Sequence, residues 1–223
     1  MSSTDLSKNS LSNKIAERIT QQIITGELKP GEKLVEYAYA EEYGTSRAPV
    51  REALYLLTIE GLVERIPRKG AVVKSYTEAE IIDLLEIRIM LESLAMKRIL
   101  ERGVDFSIVE KMEELLKVME AEKNYENYTK LNHAFHMCLI EMSKSEIIKS
   151  MYVRMELPLL SIQSMSFASE GNIDKSVREH GVIVDLLRDN KITEAINILN
   201  KHNEYVIISM QKLLKTNTNE LKA

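Results

Sequence analysis

The chain has 223 residues, of which 44% are hydrophobic, 29% charged and 5% aromatic, with 8 Gly, 4 Pro and a net charge of −4. These values exclude a disordered chain, a collagen and a disulfide-stapled miniprotein, and the length admits one or two domains with real cores. The single cysteine, Cys138, has no partner within the chain, residues Met1–Asn13 are polar without an apolar signal core, and the longest charge-free run, Leu157–Ser169, falls short of the ~20 residues that a membrane helix needs; a soluble cytoplasmic protein is the expectation.

In chain order, Leu11, Ile15, Ile19 and Ile23 recur at helical spacing and predict a helix over Leu11–Ile24. Gly26 stops it, and Leu28, Pro30 and Gly31 read as an extended turn. Val35–Tyr43 is a short helical piece, ended by Gly44. Ser46 is placed to cap the next helix, which tolerates Pro49 in its first turn and runs to Ile59 before Gly61. Leu62–Ile66 and Ala71–Lys74 read as two strands joined by the turn residues Pro67-Arg68-Lys69-Gly70. Three helices with a tight turn between the second and third, then a hairpin, make a winged helix-turn-helix over residues 1–76.

From residue 77 the strand signals vanish. Thr77-Glu78-Ala79-Glu80 is a capping box for a helix to about Arg102, and Gly103 ends it. Further helices are expected from Asp105 to Glu122, from Glu126 to Met142, from Ser145 to Met165 with a kink at Pro158, from Asn172 or Asp174 to Asn190, and from Thr193 to Leu214. Short connections between six such helices predict a mainly α antiparallel bundle over 77–223.

The whole-chain charge hides an asymmetry. Residues 1–76 carry net +1 and residues 77–223 net −5. Within Gly44–Tyr76 lie Arg47, Arg51, Arg65, Arg68, Lys69 and Lys74 against three glutamates. Such a local basic window is what phosphate contact requires. In the Ser46–Ile59 helix, Val50, Ala53, Leu54 and Leu57 define the buried face. Arg47 and Arg51, four residues apart, lie off that face beside Ser46, Ala48 and Tyr55, where a guanidinium fork in a major groove matches guanine O6 and N7; solvated surface arginines paired to glutamate are the alternative. Arg68 and Lys69 at the hairpin tip are placed to reach a phosphate or the minor groove.

The segments Ile24-Thr-Gly-Glu-Leu28-Lys-Pro30-Gly31-Glu-Lys-Leu34, Tyr43-Gly44-Thr45-Ser46-Arg47-Ala-Pro49-Val50-Arg51-Glu52-Ala53-Leu54 and Glu60-Gly61-Leu62-Val63 resemble the GntR family of bacterial transcription regulators. The resemblance covers about residues 11–74. It implies DNA reading by Arg47 and Arg51, with contacts from Ser46 and the wing-tip Gly70. Many members carry Arg where this chain has Tyr37.

The bundle offers a second candidate. His136 sits with Leu131, Phe135, Cys138 and Met142, and Asn132 is one turn before it. His180 lies among Val177, Ile183, Val184 and Leu187, and His202 among Ile198, Leu199, Tyr205 and Val206. Three imidazoles on the inner faces of three helices, with one amide oxygen, suit a divalent transition metal such as Zn, Ni or Mn and leave coordination positions open. On spacing alone, unrelated core histidines are the alternative. His133, one residue off the stripe, has no assigned role. Arg88 forms either an i,i+4 ion pair with Glu92 or a bidentate clamp on an effector carboxylate.

The residues Arg88 and Glu92, Asn132-His-Ala-Phe135-His136, Glu179-His180 and His202 resemble the FCD effector domain of the FadR branch over about 77–217. That pattern is Asp-x3-His, a His some 44 residues on and another some 22 further, and here the spacings from His136 to His180 and from His180 to His202 match. Asn132 replaces the more frequent Asp and brings no negative charge. Six helices without an extra one at the junction look like the VanR-type subgroup. The resemblance implies a small organic acid bound beside the metal. No His-Glu-x-x-His is present and Glu179 points off the His180 stripe, so a hydrolase lacks its general base. The expectation is therefore a non-enzymatic homodimeric regulator of double-stranded operator DNA, by default a repressor released by its carboxylate effector. A bundle that serves only dimerisation, with structural histidines, is the alternative.

Overall fold

The computed structural model describes residues 10–169 and 171–220. Residues 1–9, part of the polar start noted above, lie outside the described residues. The chain forms two compact units, Met1–Tyr76 and Thr77–Ala223.

The first unit contains α1 (Leu11–Ile24), β1 (Lys33–Leu34), α2 (Glu36–Glu42), α3 (Arg47–Ile59), β2 (Val63–Ile66) and β3 (Gly70–Val73). Ser10 caps α1 by accepting the Asn13 amide. The α1 face bearing Ile15, Ile19 and Ile23 and the α3 face bearing Val50, Ala53, Leu54 and Leu57 are buried, and the two helices pack together. Each large side chain so buried contributes roughly 1.5–3 kcal/mol. The expected two-stranded wing is a three-stranded sheet of order β1-β3-β2. Lys33 and Leu34 pair antiparallel with Val72 and Ala71. Two residues are too few to show a period-2 pattern, so β1 exists only because β3 offers it an edge. At the wing tip the Lys69 amide donates to Ile66 O (3.1 Å) and Arg68 takes a left-handed φ of 67°. With Pro67 before it, this is type II turn geometry, which holds Arg68 out at the apex.

The second unit contains α4 (Glu78–Arg102), α5 (Phe106–Ala121), α6 (Tyr125–Met142), α7 (Glu146–Val153), α8 (Glu156–Phe167), α9 (Asn172–Arg188) and α10 (Ile192–Glu220). The Thr77–Glu80 capping box is formed reciprocally, and Gly103, at φ 88°, ends α4 in a conformation open to glycine. Asp105 caps α5 and Ser145 caps α7. The expected six helices are seven segments among the described residues, because the fourth breaks at Arg154–Met155 instead of bending. Pro158 has no amide to donate to Arg154 and its ring would meet that carbonyl, so the chain restarts with Pro158 in the first turn of α8. Residues 74–77 link β3 to α4 without a helix. A core of Met96, Met112, Phe135, Leu139, Leu187 and Leu199 fills the bundle. No helix among the described residues is long and apolar enough to cross a membrane.

Candidate DNA-reading surface and metal centre

On the winged head, Ser46, Arg47, Ala48, Arg51, Arg68, Lys69 and Gly70 are all exposed. Ser46 occupies the N-cap of α3 with no capping bond from its side chain. Arg47 extends over the Tyr37 ring, 5.6 Å from its centroid. Arg51 is held by Glu36 at the start of α2: Nη2 donates to Oε2 (3.0 Å) and Nε lies 3.2 Å from the same oxygen. The surface-pairing of Arg51 with a glutamate thus exists in the DNA-free protein, and its guanidinium stays exposed.

In the helical unit the three histidines of the separate stripes converge. His136 and His180 are fully buried and His202 is 3% exposed. Their ligand atoms lie within 4.8 Å of one another, and His136 Nε2 is 3.2 Å from His180 Nε2. With metal–nitrogen bonds of about 2.1 Å, neighbouring ligands on one ion sit roughly 3.0–3.4 Å apart. The His136–His180 separation falls in that range, and the three residues are close enough to share a cation. Carboxylates stand behind two of them: His202 Nδ1 pairs with Glu179 Oε2 (2.8 Å), and His136 Nδ1 lies 3.1 Å from Glu92 Oε1, outside good hydrogen-bond alignment. A carboxylate on Nδ1 leaves Nε2 for a metal and raises its basicity. His180 has no such partner and stacks on Phe135 at 4.1 Å. Asn132 is buried on the same stripe as His136, with its Oδ1 3.4 Å from the Ser176 hydroxyl.

Beside the cluster is a cavity of about 20 Å3, lined among others by Arg88, Asn132, Gln163, Lys175, Glu179 and His202. That is room for about one water. Arg88 makes the i,i+4 ion pair that its spacing allows: Nε donates to Glu92 (2.7 Å), while Nη2 is buried without a partner. Gln163 Oε1 is likewise buried and unpaired. Glu92 is the hub, accepting also from Tyr152 Oη (3.2 Å) and Asn203 Nδ2 (3.0 Å). Its burial pushes the carboxyl upward, yet Arg88 and His136 outweigh that and hold it well below the usual range.

Sequence reasoning missed Lys175, which pairs with Glu179 and lies 3.9 Å over the Tyr205 ring. It also set Glu179 off the site, whereas Glu179 reaches His202 on α10. The stripe on α9 does not reveal this, because the partner lies on another helix. His133, given no role, stacks on Tyr152 at 5.4 Å and faces Glu156 at 3.9 Å.

Burial, aided by Arg88, pushes His133 down to about 4 and His136 down to about 3. Burial and the two neighbouring imidazoles carry His180 well below its ordinary value. His136 and His180 are thus neutral at pH 7, as metal ligands must be, and so is His133. An unfolded imidazole takes its proton near pH 6.5. Stability is thus whole above that point and drains as pH falls towards the folded values. The unfolding free energy of metal-free protein, read from urea titrations, is expected to fall between about pH 7 and pH 5, by about 2 kcal/mol each for His133 and His136 and in the same direction for His180. A constant value means that they are charged in the folded state.

Residues 83–205 match the FCD domain family, and residues 11–73 match the gntR family of bacterial regulatory proteins. The chain is 28% identical over 166 residues to an uncharacterized HTH-type transcriptional regulator, YdhC, of Bacillus subtilis, covering 73% of this chain and 74% of that one. It is 30% identical over 179 residues to the HTH-type transcriptional regulator LutR of the same organism (71% and 82%). It is 33% identical over 122 residues to the gluconate operon transcriptional repressor of Bacillus subtilis, where the match spans 55% of this chain and 49% of the repressor. Among solved structures, a GntR transcriptional regulator from Rhodococcus superposes with a TM-score of 0.76 over 90% of this chain and 97% of that one, at 20% identity. A Listeria monocytogenes structure described as Lar, controlling expression of the agr system, gives 0.68 over 92% and 98%, at 24%. At these identities the structural likeness is one of fold.

Proposed function

We propose that this chain, which belongs to the GntR family of bacterial transcription regulators and carries an FCD domain, couples its grip on operator DNA to a small organic acid bound beside a metal. It is a DNA-binding transcriptional regulator and not an enzyme. Arg47 and Arg51 read base edges from α3, flanked by Ser46 and Ala48. Arg68, Lys69 and the Gly70 backbone fix the wing on phosphates or in the minor groove. A homodimer sets two α3 helices in successive major grooves of a near-palindromic site. Repression relieved by ligand is the working sign, in keeping with the gluconate operon repressor among its relatives.

In the helical unit Asn132, His136, His180 and His202 hold a divalent transition metal, Zn, Ni or Mn. The metal supplies a Lewis-acid anchor for a carboxylate, and Arg88 offers the second grip through its unpartnered Nη2. The observation that carries this reading is the convergence of three buried imidazoles beside a cavity into which a buried guanidinium also opens. At about 20 Å3 the cavity takes a water, so an organic acid enters only when lining side chains move. That displacement gives the ligand different affinities for two arrangements of the unit, the requirement for any shift in DNA affinity.

Band-shift titration on DNA from the gene's upstream region tests the head. Arg47→Ala and Arg51→Ala are each expected to weaken operator binding by about 1–3 kcal/mol and to relax base choice. Wild-type binding by both variants removes α3 as the reading helix. A second reading, a metal-free bundle with structural histidines, is favoured by the His136–His180 contact, which two neutral imidazoles can make as a hydrogen bond. Thermal melts with and without chelator separate the two, because only a bound metal raises the midpoint.

A further inference from the structure

Glu36 sits where a regulator of DNA would least want a carboxylate. It opens α2 amid Arg47, Arg51 and Arg65, the positive charges that phosphates must meet, and its own negative charge weakens that attraction. It is nonetheless held from two sides. Arg51 engages it through Nε (3.3 Å to Oε1, 3.2 Å to Oε2) and Nη2 (3.0 Å to Oε2), and Arg65 Nη2 lies 3.9 Å from Oε1. The Arg51 side chain is 60% exposed, so the pair contributes little to folding.

The geometry of the pairing is specific. A guanidinium carries five N–H groups in a rigid fork with two usable edges, the side edge of Nε and Nη2 and the end edge of Nη1 and Nη2. Glu36 occupies the side edge. The end edge stays free and points away from the carboxylate, and it is a fork that matches guanine O6 and N7. A long side chain that would otherwise search its rotamers is thereby fixed before DNA arrives, and preordering of this kind improves binding by lowering the ordering cost.

We propose that Glu36 is a positioning residue for base recognition: it grips Arg51 by its side edge and presents the end edge to a guanine. The inference rests on the reading that α3 enters the major groove. Glu36 trades general attraction to phosphate for discrimination at the base that Arg51 meets.

The test uses full-length protein and duplexes that the wild type selects from a randomised library, alongside random duplex of equal length. Glu36→Gln removes the charge and keeps the shape. The expected result is a fall of roughly tenfold in the selected-to-random affinity ratio, confined to the base pair whose preference Arg51→Ala also erases, with random-duplex binding equal or tighter and an unchanged melting temperature. In an Arg51→Ala background Glu36→Gln is expected to change that ratio no further. If Glu36→Gln tightens selected and random DNA alike, the carboxylate is only a counter-charge and the proposal falls. It falls too if discrimination drops equally in the Arg51→Ala background. If wild type enriches no sequence and Arg51→Ala binds like wild type, the reading of α3 itself has failed. Loss of a base preference in Arg51→Ala but not in Glu36→Gln overturns the Glu36 proposal alone.

Discussion

Replacing Glu92 with leucine is expected to destabilise the helical unit by about 3–5 kcal/mol, the range found when one partner of a buried ion pair is removed. Glu92 is fully buried and receives Arg88 Nε, Tyr152 Oη and Asn203 Nδ2, with His136 Nδ1 facing it. Leucine fills the volume but leaves a buried guanidinium without its counter-charge and two donors without an acceptor. Arg88 already carries one unpartnered nitrogen, so no spare partner stands by to take over. Urea unfolding followed by circular dichroism checks this. Glu92→Gln, which retains an acceptor oxygen, is expected to lose less. The double change Arg88→Met with Glu92→Leu is expected to recover much of the loss, because it removes both charges from the interior. A loss below about 1 kcal/mol in Glu92→Leu would show that water reaches the hub.

The second large effect concerns the histidines. Adding Zn2+, Ni2+ or Mn2+ to untagged, chelator-treated protein is expected to stabilise the folded state by about 4 kcal/mol when the free metal reaches about a thousand times its dissociation constant. For a unit of this size that is a rise in melting temperature of roughly 10 °C. His180→Ala should abolish the rise. His180 is the informative position because it has no carboxylate behind it, so its removal leaves the Glu92 and Glu179 pairings in place. Elemental analysis of wild type beside His180→Ala gives an independent reading. Equal metal content, or equal melting with every ion, removes the metal centre and leaves the structural alternative. Asn132→Asp restores a carboxylate at the cluster and is expected to tighten binding of a hard cation such as Mn2+ more than of Zn2+.

The residues that the chain order makes plain are those whose signal is local. The α3 stripe of Val50, Ala53, Leu54 and Leu57 is buried as its spacing demands, and the Thr77–Glu80 box forms where its four residues allow it. The convergence of His136, His180 and His202 was also legible, because each lies on its helix's apolar stripe and inward stripes meet in a bundle. Of the two departures, one was decided by a neighbour distant in the chain, since the short β1 needs the edge of β3. The other was local: Pro158 was expected to bend the helix, and the clash of its ring with the carbonyl of Arg154 breaks it.

By itself, then, the order of residues determined a basic winged head, an acidic helical unit and which faces turn inward, since hydrophobic periodicity and capping act within a few residues of chain. Only the tertiary structure decided what the polar groups do once inside: that Glu92 gathers Tyr152 and Asn203 from 60 and 111 residues away, that Glu179 backs His202, and that Glu36 holds Arg51. A buried or clustered charge must find a partner wherever packing supplies one, and that choice belongs to geometry between helices and leaves no period along any one of them.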